Sequence, residues 1–185
     1  YPLRRQRQMC IRDSHIPVNP RNPAQIFYDG RDRIYVAGAS VSVSRSSWIE
    51  EIGTVLAVSW DIYPVKPFLT DYTIPVGENL ASAPKYYRDF ERVYLFVMST
   101  QDDNSVEIDD PMTPNADLTT SLNRGEVTQL HNVNAGTHIS ATKPVQVQFI
   151  VAGIQARYET RGYNCVPDGL WDTEYYSPVD GGLYE

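Results

Sequence analysis

Apolar and polar positions alternate along this chain in short stretches. Nowhere do they hold a helical period for three turns without Pro or Gly intruding. In residues 145–151, Val145, Val147 and Phe149 fall on one side and Gln146 and Gln148 on the other, which predicts a strand with its glutamines outward. Residues 105–109 alternate in the same way, with Val106 and Ile108 inward and Glu107 and Asp109 outward. Val93-Tyr94-Leu95-Phe96-Val97-Met98 is instead a continuous apolar run, too short for a helix, and predicts a strand covered on both faces. Between these strands, Gln101-Asp102-Asp103-Asn104 is turn chemistry, because Asp and Asn tolerate left-handed backbone, so a hairpin is expected there. Strands at 118–122 and 126–130 flank a second turn, Asn123-Arg124-Gly125, and strands at 137–140 and 145–151 flank a third, Ala141-Thr142-Lys143-Pro144.

The upstream part is less regular. Residues 15–33 contain three prolines and read as an extended loop. Residues 34–44 end in an alternation that places Val41 and Val43 on one face, and residues 54–60 form a mostly apolar run suited to a central strand. A short segment, 72–76, follows Pro64 and Pro67. Short strands at regular spacing predict an all-β protein. The expected form is an antiparallel, Ig-like β-sandwich, with β-propeller-like blades as the competing arrangement.

Two stretches occur twice, about a hundred residues apart. Thr70-Asp71-Tyr72-Thr73-Ile74-Pro75-Val76 matches Thr173-Glu174-Tyr175-Tyr176-Ser177-Pro178-Val179, and residues 34–43 match residues 138–147. That period is too long for a solenoid and suits a whole β domain. The expectation is a window from a tandem array: a truncated first β unit over 15–76 and a near-complete second unit over 77–185. Tyr72 and Tyr175 would then hold equivalent places.

Thirteen Tyr and thirteen Pro support strands and turns, and the net charge of −7 argues against a nucleic-acid partner. The charge is uneven, since residues 1–14 hold four Arg against one Asp. No apolar stretch follows, so a signal peptide does not fit. The string Arg4-Arg5-Gln6-Arg7-Gln8-Met9-Cys10-Ile11-Arg12-Asp13-Ser14 resembles a translated sequencing adapter, and residues 1–14 are expected to be a foreign tail, with the native chain starting near His15. No stretch approaches the roughly 18 consecutive apolar residues that a membrane span requires.

Candidate chemistry is sparse. With Cys10 set aside, Cys165 stands alone in a turn-rich loop, and a disulfide partner beyond the ends of the chain is the functional alternative to an inert thiol. Asp102, Asp103, Asn104, Asp109 and Asp110 bracket the expected hairpin and are calcium candidates, although a solvated turn explains them without the spacing of a calcium loop. His15, His131 and His138 lack metal-ligand spacing. No Gly-x-Ser-x-Gly elbow or phosphate loop is present, and no cofactor is implied. Trp48, Trp60, Trp171, Tyr86-Tyr87 and Tyr175-Tyr176 either form an aromatic platform or serve as core and edge residues, and the second reading is the more economical. Tyr163, Asn164, Trp171 and Tyr175 are the candidate binding residues, on or beside the irregular stretch 152–169.

Four segments occur in a familiar order: 93–109 (VYLFVMSTQDDNSVEID), 122–130 (LNRGEVTQL), 136–147 (GTHISATKPVQV) and 173–179 (TEYYSPV). In this order they resemble the IgGFc-binding protein N-terminal domain family, with a weaker echo over 34–76. That resemblance implies a large extracellular binding protein, and bacterial members of the family are secreted or displayed on the cell surface. Members carry a Cys-containing loop after the Lys-Pro-Val hairpin, whereas residues 152–169 offer only Cys165, so the disulfide does not transfer. IgG binding belongs to particular members and is not carried over.

The expected function is a non-enzymatic extracellular or cell-surface module for binding or adhesion. A protein or glycan ligand, and neighbouring repeats of the same chain, would be its partners. A structural spacer in a surface array, or a carbohydrate-contacting accessory domain of a secreted hydrolase, are the alternatives.

Overall fold

The computed structural model describes residues 34–47, 58–80, 92–112, 118–152 and 160–176. They form antiparallel sheets, and no α-helix occurs among them. The first sheet runs in the order β10 (Thr160–Asn164), β9 (Val145–Ala152), β4 (Arg92–Ser99), β7 (Val127–His131). The second runs β3 (Asp71–Thr73), β8 (His138–Ala141), β5 (Asn104–Asp109), β6 (Leu118–Leu122). A two-stranded ladder, β1 (Val43–Ser47) with β2 (Val58–Ile62), lies against β10 through β2.

The two large sheets face each other as a β-sandwich, and strand parity fixes what fills it. Leu95 pairs with Phe149 and Val97 with Val147, so Val93, Leu95, Val97, Val145, Val147, Phe149 and Val151 share one face. Tyr72, Val106, Ile108, Leu122 and Ile139 come from the other sheet, and Leu69, Ile74, Val133 and Cys165 close the same buried cluster. The alternation read from the sequence therefore holds on β5 and on the core side of β9. Strand β4 is covered on both faces as expected, since Phe96, on the side away from the core, is only 5% exposed.

The expected hairpin of residues 92–99 with 105–109 does not form. β4 pairs with β7 and β9, β5 pairs with β6 and β8, and the turn at 100–103 carries the chain from one sheet to the other. The turns at 123–126 and 142–144 cross in the same way. A hairpin would have placed Val93, Leu95 and Val97 beside Val106 and Ile108 on one sheet face. An arch turns the two apolar sets toward each other and buries both.

These arches are locked together at one end of the sandwich. Asn104 is 0% exposed. Its Nδ2 donates to Ser99 Oγ at 3.0 Å and to the Lys143 carbonyl at 2.9 Å. Its Oδ1 accepts from Lys143 N at 2.8 Å and Thr142 Oγ1 at 3.1 Å. Asp102 Oδ1 accepts from Arg124 N at 3.1 Å, which joins the first arch to the second. The left-handed backbone of Asp103 (φ 52°) supplies the sharp bend.

Among the described residues, the two copies do not share a structure. Tyr72 is 1% exposed in the core, while its sequence counterpart Tyr175 is 72% exposed and lies outside any strand. The physical reason is visible in the copies: the apolar Ile74 that anchors the first is Ser177 in the second. Residues 138–147 contain a strand, a turn and the start of another, whereas in their counterparts 34–43 only the last residue, Val43, lies in a strand. β3 pairs directly with β8, and Leu69, Tyr72 and Ile74 belong to the same core as residues 93–165, so the expected boundary at residue 76 does not separate two cores.

Smaller corrections concern the outer face and the first strand. Gln146 does point away from the core, but it is buried, because its Nε2 donates to the Tyr63 carbonyl at 2.8 Å. Val41 lies before β1 and is exposed. The expected foreign tail 1–14, along with His15, Trp48, Tyr86 and Tyr87, lies outside the described residues.

Candidate functional site

After β10 the chain leaves the first sheet and runs across to the open edge of the second. Cys165 N still donates to Val147 O at 2.9 Å, extending the β9 pairing by one residue. Pro167 then ends the ladder, and a 3₁₀ turn, Asp168–Leu170, forms with Leu170 N donating to Pro167 O at 2.9 Å. This turn lies against β3.

Asp168 fastens it there. Its Oδ1 accepts the Thr73 main-chain N–H at 2.7 Å, and its Oδ2 accepts the Thr73 hydroxyl at 2.8 Å. His138 Nε2 stands 3.9 Å from the same Oδ2. The Cys165 thiol is buried and free, and it donates to the Thr73 carbonyl at 3.5 Å. Burial, and then the nearby Asp168 carboxylate, push this thiol up to about 12 from its ordinary 9.0. The arrangement holds a strand edge. It does not prime a nucleophile, since the thiol keeps its proton and the Thr73 hydroxyl gives its hydrogen to Asp168 rather than to an imidazole.

Beyond the turn lies a ledge of exposed rings. Trp171 is 52%, Tyr175 72% and Tyr176 87% exposed, and Val166 and Leu170 are exposed beside them in the chain. Their polar atoms are nevertheless engaged. Trp171 Nε1 donates to Val166 O at 3.2 Å, the Tyr175 hydroxyl accepts from Asp172 N at 2.8 Å, and the Tyr176 hydroxyl donates to Glu174 Oε1 at 2.5 Å. That last bond, with the carboxylate as acceptor, holds the Tyr176 phenol above its ordinary value. Rings held by their edges with their faces in water supply apolar area with little rotamer freedom left to lose on binding.

The four candidate binding residues therefore separate. Trp171 and Tyr175 sit on the ledge. Tyr163 pairs with Phe149 across β10 and β9, and its ring stacks on Phe149 with centroids 5.2 Å apart, so one of its faces is already taken. Asn164 points to the opposite face of β10, opposite Gln148, and its amide atoms are sequestered from solvent. The alternation of a strand forbids Tyr163 and Asn164 from meeting one ligand on one face. The residues overlooked in the sequence are Asp168 and His138, whose roles depend on Thr73, a partner almost a hundred positions upstream of the turn. The only local signal was the turn-prone Pro167-Asp168-Gly169.

The calcium candidates also part company. Asn104 is consumed by the arch lock, and Asp102 is engaged with Arg124 N and the Arg124 guanidinium. Asp109 lies at the far end of β5, about 17 Å from Asn104 at the rise of a strand. Asp110 is buried at that far end, where it accepts from Met112 N at 2.9 Å and from Asn134 Nδ2 at 2.9 Å. Among the described residues, no three His, Cys, Asp or Glu side chains are grouped to hold a metal. His131 packs its ring edge-on against Tyr94 at 4.8 Å. No helix among the described residues is long and apolar enough to cross a membrane. No family model, curated protein or solved structure matches this chain.

Proposed function

We propose that this sandwich is a non-enzymatic binding or adhesion module of a secreted or cell-surface protein, and that it captures a protein or glycan ligand on the ledge 166–176. One observation carries the reading: Trp171, Tyr175 and Tyr176 keep their faces in water while their polar atoms are tied down. Rigid, amphipathic rings of this kind are the usual anchors of protein and sugar recognition. The resemblance of segments 93–109, 122–130 and 136–147 to the IgGFc-binding N-terminal domain supports the extracellular setting.

The test is direct binding of the purified chain to a glycan array and to immobilised immunoglobulin Fc, alongside the double variant Trp171→Ala, Tyr175→Ala. Binding by the parent that the variant loses, with unchanged thermal melting, supports the ledge as the site. Equal binding by both proteins, or no binding by the parent to either probe, would sink the reading.

A further inference from the structure

We propose that the outer edge of β3 is a latent pairing edge for a second copy of this chain, held closed by the Asp168 carboxylate. Among the described residues β3 is an edge strand, and the direction of its main-chain groups follows from its neighbours. Ile74 N donates to Thr137 O at 2.9 Å and Ile74 O accepts from Gly136 N at 2.8 Å, so Ile74 faces inward along the sheet. Main-chain groups alternate sides along a strand, so those of Thr73 and Asp71 face outward.

An outward row of N–H and C=O groups is a template for another strand. Here the Thr73 N–H is taken by Asp168 Oδ1, the Thr73 hydroxyl by Asp168 Oδ2, and the Thr73 carbonyl by the Cys165 thiol. All three are side-chain bonds made by one short loop, and none continues the sheet. Asp71 adds an exposed charge to the same edge, another common guard.

The edge is complementary to itself. A copy brought antiparallel about a two-fold axis through Tyr72 sets Asp71 opposite Thr73 of the second copy, and Thr73 opposite its Asp71. Each outward N–H then meets an outward carbonyl, and neither carboxylate faces the other. Such an isologous contact closes on itself as a dimer. The guard answers that hazard, since a second copy is the one partner always present at the concentration of the chain.

Sedimentation equilibrium over a wide concentration range tests this on the full chain and on Asp168→Ala and Asp168→Ser, neither of which can hold both Thr73 groups. Thr73→Pro is then added to each. It deletes the outward N–H without removing a bond to β8, a place where an edge strand tolerates Pro. The expected result is a monomeric parent, Asp168 variants with parent-like circular dichroism and a mass rising toward twice the single-chain value, and monomers again once Thr73→Pro is present. Folded Asp168 variants that stay monomeric overturn the proposal. So does a dimer that survives Thr73→Pro, or a parent dimer that Thr73→Pro dissociates. Unfolding of both Asp168 variants also overturns it, because Asp168 would then be part of the fold rather than a removable guard.

Discussion

The Tyr72 hydroxyl reaches across the core and donates to the main-chain oxygen of Val145 at 2.8 Å, tying the edge strand of one sheet to the start of a central strand of the other. Tyr72 is among the largest fully buried side chains, and burial holds its phenol well above its usual value. Tyr72→Phe keeps the ring and leaves the Val145 oxygen short of one donor. The expected cost is about 1–3 kcal/mol, read as a lower urea midpoint at unchanged slope. A midpoint equal to that of the parent would show that water replaces the hydroxyl.

Asn104 closes the arch lock with four hydrogen bonds. Asn104→Ala strands main-chain groups of Lys143 and removes the link between two arches. We expect a loss of roughly 2–3 kcal/mol, at the high end for a buried polar side chain. Substitution of exposed Asp103, its neighbour in the chain, by Asn should change stability by less than about 0.5 kcal/mol. Similar losses for the two variants would rule out the lock.

β9 gives a contrast between its two faces. Phe149→Ala opens the core beneath Tyr163 and should cost about 3–5 kcal/mol. Gln146→Ala removes one bond to the Tyr63 carbonyl and should cost about 1 kcal/mol. Denaturant melts of the two variants check the register of the strand: equal midpoints would invert it.

Cys165 makes stability depend on pH in the alkaline range. The thiol ionises near 9.0 when free and near 12 when folded, so between those values the folded chain binds more protons than the unfolded one. Its contribution is complete below about pH 9 and declines as pH rises toward 12, by at most roughly 1.4 kcal/mol per pH unit. Cys165→Ala should therefore show a flatter loss of stability from pH 9 upward than the parent. The remaining decline, at higher pH, belongs in part to Tyr72, whose shift has the same sign. Parallel curves for the two proteins would place the thiol in water.

The strands were legible because side-chain alternation is a local property. Val106 and Ile108, or Val145, Val147 and Phe149, mark their inward face whatever they pair with. Partnership was not legible at 100–103, because Asp-Asp-Asn bends a chain equally well into a hairpin or an arch, and only the opposing sheet decides. The match between residues 70–76 and 173–179 misled for the same reason, since similar text was set in one place by Ile74 and left without that anchor in the other. At the candidate site, the ring identities of Trp171 and Tyr175 could be read directly. The tethers that hold those rings, and the Asp168 bonds to Thr73, are tertiary and leave no trace in the local pattern.

The three sheet-crossing arches also bear on how fast the chain reaches this state. Strands that follow one another at 100–103, 123–126 and 142–144 gain no ladder bonds from their closeness, so those turns cannot seed a growing sheet. The central pairing joins Leu95 to Phe149, and the edge pairing joins Tyr72 to Ile139, across long stretches of chain. Among the described residues, only β1 with β2, β5 with β6 and β9 with β10 pair as chain neighbours. Loop-closure entropy must be met before the distant pairings return any energy, which puts refolding in the ms–s range of sandwiches with non-local contacts rather than the μs range of helical bundles. During that delay, β4 and β9 expose their apolar faces and unpaired edges together. Dilute refolding is therefore expected to recover far more monomer than concentrated refolding.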